Sequence, residues 1–271
     1  MMNSIRIGGH TKSRQLPENW SEVRSGSLAF VVKTLLTYKP VPAKIMILKH
    51  LLKIRTLEFN ILEDEQVNEL VDLLAWMDMR GLVDPVFPVL KVGGVIYRMP
   101  KAEFDDGTAW QYAAADDYYR KYVECSAVAS ELKTPTITNC DDHLDRLISV
   151  LLTDVRHKKA LTDRDEVEKR AGVFRKLKDY ERVVILAYFS GIKQRIYDNY
   201  SSWLFTSDGS GGTGVNFGWW GRYLDIAKTG VFGTVEKVYE TRFYDIIVFL
   251  IQEKEYYLAE KRAVEEMKNE K

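Results

Sequence analysis

From Phe217 to Leu258 the chain reads FGWWGRYLDIAKTGVFGTVEKVYETRFYDIIVFLIQEKEYYL: an aromatic cluster, a Gly-punctuated turn and then the longest amphipathic helix the sequence predicts. After Val238, the residues Phe243, Ile246, Ile247, Leu250 and Ile251 recur at three- and four-residue steps, which lines them along one helical face. A helix of that length has to bury such a face against other elements, so it commits the chain to a layered, helix-rich packing. Past Glu253 the helix continues as EKEYYLAEKRAVEEMKNEK, a highly charged end able to project and dock a partner.

The same periodicity recurs upstream. Ser25 to Tyr38 predicts a helix with Leu28, Val31, Val32, Leu35 and Leu36 on one face; Pro40 stops it, and Pro42 suits the first turn of a second helix whose polar side, KIMILKHLLKIR, is basic. Glu63 to Met79 predicts a third. Residues 86–99 change period: two β-prone runs flank Gly93-Gly94, the two-residue loop of a tight hairpin, with the short strand expected at residues 3–7 as a candidate neighbour. Helical spacing resumes near Thr108, breaks at Pro135, resumes over Asp142 to Asp154, and continues after Thr162 or Asp163, a capping position, and through the apolar run from Tyr180 to Tyr200. The expected fold is mainly α, a multi-helix bundle-like arrangement with a small antiparallel sheet. Its expected halves are 1–134, holding the hairpin, and 135–271, holding a Gly-rich loop at 206–216 and the long terminal helix, with a hinge around 132–140.

A chain of 271 residues that is 46% hydrophobic and 29% charged can bury a core without a metal or a disulfide framework. Lys and Arg equal Asp and Glu at 39 each, so no global charge draws the protein to nucleic acid or an anionic membrane. The charge is uneven, basic over residues 1–60 and acidic over 61–145, which leaves homo-oligomerisation open. No apolar run approaches the roughly 20 residues of a membrane span, and the amino terminus has no apolar signal core. Cys125 and Cys140 have neither a metal-ligand spacing nor a CxxC partner, so reduced thiols in a cytosolic setting are the expectation, with Cys125 a small buried helix residue.

Candidate chemistry is thin. GSGGTG at 209–214 has the glycines of a phosphate cradle but is followed by Val215-Asn216 where a P-loop needs Lys and then Ser or Thr, so it reads as a tether. His10, His50, His143 and His157 are scattered. Asp141, Asp142, His143 and Asp145 lack a second ligand at helical spacing and read as a charge cluster at a helix amino terminus. Asp105, Asp106, Asp116 and Asp117 read as solvated, and the basic helix at 44–55 as a solvated face. No catalytic residue, metal site or cofactor is expected. Contact is the function left, and the aromatic residues of the carboxy-terminal segment are its candidates: Trp219, Trp220, Tyr223, Phe232, Phe243, Tyr244, Tyr256 and Tyr257, since Trp and Tyr dominate binding hot spots.

Those same residues carry a resemblance. Gly218-Trp219-Trp220-Gly221, Ile226-Ala227, Gly230-Val231-Phe232-Gly233-Thr234, Val238 and the Phe243-Tyr244-Asp245 helix with its Lys/Glu-rich end resemble the carboxy-terminal segment of bacteriophage and prophage tail-module proteins, of the tail-assembly chaperone kind encoded near the tape-measure gene. Leu16-Pro17-Glu18-Asn19-Trp20-Ser21-Glu22-Val23 is similar to their opening phrase. Lys101-Ala102-Glu103-Phe104 with Tyr118-Tyr119 and Tyr122 resembles their mid-chain helix, and Tyr188-Phe189-Ser190-Gly191 with Tyr200 and Leu204-Phe205 resembles a later one. The loop at 206–216 departs from the pattern. The resemblance implies a non-enzymatic, chaperone-like role in tail assembly in the host-cell cytoplasm, with a helical tail component such as the tape-measure protein as partner. A structural virion component, connector or tail-completion protein, is its alternative, and a nucleotide- or nucleic-acid-handling enzyme a distant third.

Overall fold

The structure, a computed structural model, describes residues 3–5, 14–77, 82–132, 137–156, 162–204 and 218–269. Two short strands, β1 (Asn3–Ile5) and β2 (Arg14–Leu16), pair antiparallel with each other. A single 3-10 turn at Trp20–Glu22 leads into α1 (Ser25–Thr37). Tyr38 leaves the helix in extended backbone, and α2 (Pro40–Leu51) starts on Pro40 itself, whose missing N–H and fixed φ suit the first turn. So Pro40 both ends one helix and opens the next. After the one-turn α3 (Thr56–Phe59), α4 (Asp64–Asp72) is set by a capping box in which the Glu63 backbone N–H donates to Gln66. It is shorter than the helix expected to reach Met79: from Leu74 to Met77 the backbone bonds tighten to three-residue steps, and Trp76 turns edge-on to Trp20 at 5.5 Å.

The Gly-Gly hairpin forms as expected. β3 (Val89–Val92) pairs with β4 (Val95–Arg98) in register Val92↔Val95, and Gly93 and Gly94 hold φ of 58° and 84°, the positive values a primed two-residue turn demands. Its second neighbour is not the amino-terminal strand.

α5 (Ala109–Leu132) begins where Thr108 and Gln111 exchange backbone-to-side-chain bonds at 3.1 and 3.2 Å. α6 (Ile137–Leu151) packs along it. The chain then leaves the helix, sooner than the expected Asp154, because β5 (Thr153–Asp154) pairs with β4 and completes a three-stranded antiparallel sheet. Asp163 caps α7 (Arg164–Phe174) by accepting from the Asp165 N–H at 2.9 Å.

α8 (Asp179–Leu204) is the expected apolar central helix, and it touches α1, α6 and α11 (Phe243–Asn269). α9 (Gly218–Thr229) and α10 (Val235–Glu240) pack on each other and on α5. One apolar cluster runs through all of this, from Leu16 to Ile247.

Gly191 in α8 explains its own presence. A Cβ there would stand 2.2 Å from the Leu82 carbonyl oxygen, so the neighbour that approaches is the backbone of a loop and not another helix. Gly191→Ala is expected to destabilise the fold by about 2 kcal/mol despite alanine's better helix propensity, seen as a lowered urea midpoint.

Candidate functional site

The aromatic cluster divides by burial. α11 starts beside α5: the Ala109 N–H donates to Thr241 O and the Phe243 N–H to Gly107 O, both at 2.9 Å. This seats Phe243 face to face with Tyr112, centroids 3.8 Å apart, with Trp219 edge-on at 5.1 Å and Phe104 at 6.3 Å. Tyr223 is fully buried and donates to Ala109 O at 2.9 Å. Burial pushes the Tyr112 and Tyr223 phenols well up, which keeps both neutral. Trp219, Tyr223 and Phe243 therefore sit inside the protein, and the expectation that they meet a partner is corrected: their apolar surface is already spent on one another.

Trp220, Phe232 and Tyr244 are half-buried. The Trp220 indole donates to Asp117 at 3.0 Å, and Arg164 lies over its ring at 5.2 Å. Asp117 also pairs with Arg120 and Arg164, and Asp116 with Lys193 and Arg120. Phe232 meets Phe249 edge-on at 5.4 Å. Tyr244 donates to Glu103 O at 2.8 Å, and burial pushes its phenol up to about 12. Asp105 pairs with Arg242 at 2.6 Å and Asp106 with Arg98 at 3.4 Å. None of the four carboxylates expected to be solvated is without a cation, since each lies where two elements meet.

The Asp141 to Asp145 cluster is likewise a junction and not a helix-end charge patch. α6 starts earlier, at Ile137, so the acids lie a turn inside it. Asp145 is 1% exposed and accepts from Arg182 at 2.7 Å and from Arg175 at 3.4 Å; Asp142 pairs with Arg175 and Asp141 with Arg182. His143, alongside, is held below its usual pKa by burial first and then by Arg146 and Lys121. The folded chain therefore resists a proton that the unfolded chain accepts near 6.5. Stability is fully present above that pH and is lost as pH falls through the folded pKa. The urea midpoint is expected to drop between pH 7.5 and pH 5.5, and His143→Gln to flatten that drop.

Cys125 of α5 and Cys140 of α6 are joined in a disulfide, Cα atoms 5.5 Å apart, which overturns the expectation of reduced thiols. The two helices run side by side with the break between them, and this brings the thiols together across a loop that chain-entropy arguments credit with about 3 kcal/mol. It also ties together the two sides of the expected hinge, of which residues 133–136 lie outside the described residues. The Gly-rich loop at 206–216, His10 and His157 lie outside them too. In the basic helix, Lys49 reaches over the Phe59 ring at 4.5 Å and His50 stacks on Phe30 at 4.1 Å, so that face is partly committed to packing. Among the described residues no group of three His, Cys, Asp or Glu side chains could hold a metal, and no helix is long and apolar enough to cross a membrane.

What is left open is the far half of α11. Phe243, Ile246 and Ile247 are buried and Leu250 and Ile251 half-buried, yet beyond residue 251 the helix is exposed almost throughout. Eighteen residues at 1.5 Å each carry it about 27 Å onward. Tyr256 is 77% exposed, Tyr257 54%, Val264 41% and Met267 59%. At 100° per residue these four fall within about 60° of Glu260, on a stripe turned by roughly 110° from the face that α11 buries. The stripe overlaps one edge of the buried face and carries the line of Ile246 and Phe249 onward past the body. Of the eight expected contact residues it gathers Tyr256 and Tyr257; Val264, Met267 and the Glu residues among them went unnoticed, although the angular arithmetic finds them.

No protein-family model, curated protein or solved structure matches this chain.

Proposed function

We propose that the protein is a non-enzymatic phage tail-assembly factor, chaperone-like, which holds a helical tail component such as the tape-measure protein on the far half of α11. The partner class follows from the resemblance of the carboxy-terminal segment to tail-module proteins. The surface follows from one observation: beyond residue 251, two tyrosines, a valine and a methionine stand exposed on one helical stripe. Large apolar and aromatic side chains at helical spacing fit the helix-on-helix mode of recognition.

Co-expression with a tape-measure protein and pull-down tests the reading. Tyr256→Ala/Tyr257→Ala is expected to weaken capture by about thirtyfold, as loss of a central aromatic pair does, with an unchanged melting temperature. Unweakened capture would sink the surface, and peptide mass spectrometry finding the protein in finished particles would favour the virion-component alternative.

A further inference from the structure

We propose that the partner of the exposed stripe on the far half of α11 is an amphipathic helix that carries Lys or Arg within its own apolar stripe, at seven-residue spacing, and that this basic pair is recognised by Glu253 and Glu260. The inference rests on the reading of α11 as a binding surface and names the chemistry it selects.

The exposed stripe is not purely apolar. Glu253 and Glu260 lie on its midline, two turns apart. Their neighbours three and four residues away are Phe249, Leu250, Tyr256 and Tyr257 for the first, and Tyr256, Tyr257, Ala263 and Val264 for the second. No basic residue of α11 occupies a position from which helical spacing would neutralise them. Glu265 and Glu266, by contrast, have Lys261 and Arg262 one turn back, on the opposite face. Among the described residues no ion pair involves Glu253 or Glu260, whereas the carboxylates at the junctions of the body, Asp116, Asp117, Asp145 and Asp105, are paired with Arg and Lys.

A helix laid on Tyr256, Tyr257, Val264 and Met267 would take both carboxylates out of water. Unpaired, they would oppose docking; opposite Lys or Arg they become desolvated ion pairs, which fix register and reject acidic competitors. A second copy of α11 is disfavoured by the same groups, because it would bring Glu against Glu along its centre. The stripe is therefore built to refuse itself and to accept a basic, apolar helix.

The test uses the full chain and two synthetic amphipathic helical peptides with identical leucine stripes, one carrying Lys at two stripe positions seven residues apart, the other Glu. Fluorescence anisotropy is expected to show the Lys peptide binding at least about tenfold more tightly, with the gap narrowing as salt rises. Glu253→Lys/Glu260→Lys is expected to reverse the order, a result that loss of folding would not produce. Equal affinity for the two peptides, or an order unchanged by the reversal, would overturn the charge recognition while leaving the binding surface standing. Binding of neither peptide, or sedimentation of the chain as a dimer that Tyr257→Ala dissolves, would overturn both.

Discussion

Phe243→Ala is expected to lower the unfolding free energy by about 4 kcal/mol, read as a shift of the urea midpoint followed by circular dichroism. The side chain is fully buried, stacked on Tyr112 and flanked by Trp219 and Phe104, so its removal leaves a void among three rigid rings that cannot all close on it. Loss of the face-to-face contact and of the edge-on contacts adds to the transfer term. Tyr256→Ala, thirteen residues on in the same helix, is expected to move the midpoint by no more than about 0.5 kcal/mol, as exposed substitutions do. The pair of measurements separates the part of α11 that makes the fold from the part that is available to a partner.

Arg182→Met is expected to cost about 3 kcal/mol at neutral pH, because it keeps the aliphatic stem and strips a buried carboxylate of its nearest cation. Asp145 would retain Arg175, at 3.4 Å. Burial already raises the Asp145 carboxyl above its ordinary 3.8, with Arg182 the first group opposing the rise. For a carboxyl raised in the fold, the penalty is absent below the unfolded pKa and grows as pH rises through the folded one. The loss in Arg182→Met should accordingly be smaller at pH 4 than at pH 7, since protonating Asp145 removes the stranded charge. Adding Asp145→Leu should recover much of the loss at neutral pH and remove its pH dependence; a double variant as unstable as the single would show that Arg182 acts by packing.

Local signals were readable and long-range ones were not. Gly93-Gly94 marked the hairpin, Thr108 the start of α5, and Thr162 or Asp163 the cap of α7, which Asp163 supplies, each because the determining contacts lie within four residues. The third strand was missed since β5 is two residues long, and its pairing with Arg98 and Tyr97 has no periodic signature. Asp116 and Lys193 are 77 residues apart, so neither announces the other, and the same holds for Asp145 with Arg182. Two cysteines on different helices carry no sign that their faces will meet. The expected contact residues divide between core and surface for a different reason: Trp and Tyr favour cores and interfaces alike, and type alone cannot separate buried Tyr223 from exposed Tyr257. Helical angle measured from the buried face can, which is how Glu253 and Glu260 come into view.

The bonds between residues 107–109 and 241–243 have a consequence for how the chain matures on the ribosome. Phe104 and Tyr112 are made early, but Phe243, the ring that stacks face to face on Tyr112 and edge-on to Phe104, emerges more than a hundred residues later. The nascent α5 thus waits with part of its aromatic face open until Phe243 is made, an interval in which unsatisfied apolar surface is exposed to aggregation. A protein that spends its own synthesis in this state depends on late closure, and slowing translation between residues 204 and 243 should lower the yield of folded chain more than slowing it anywhere before.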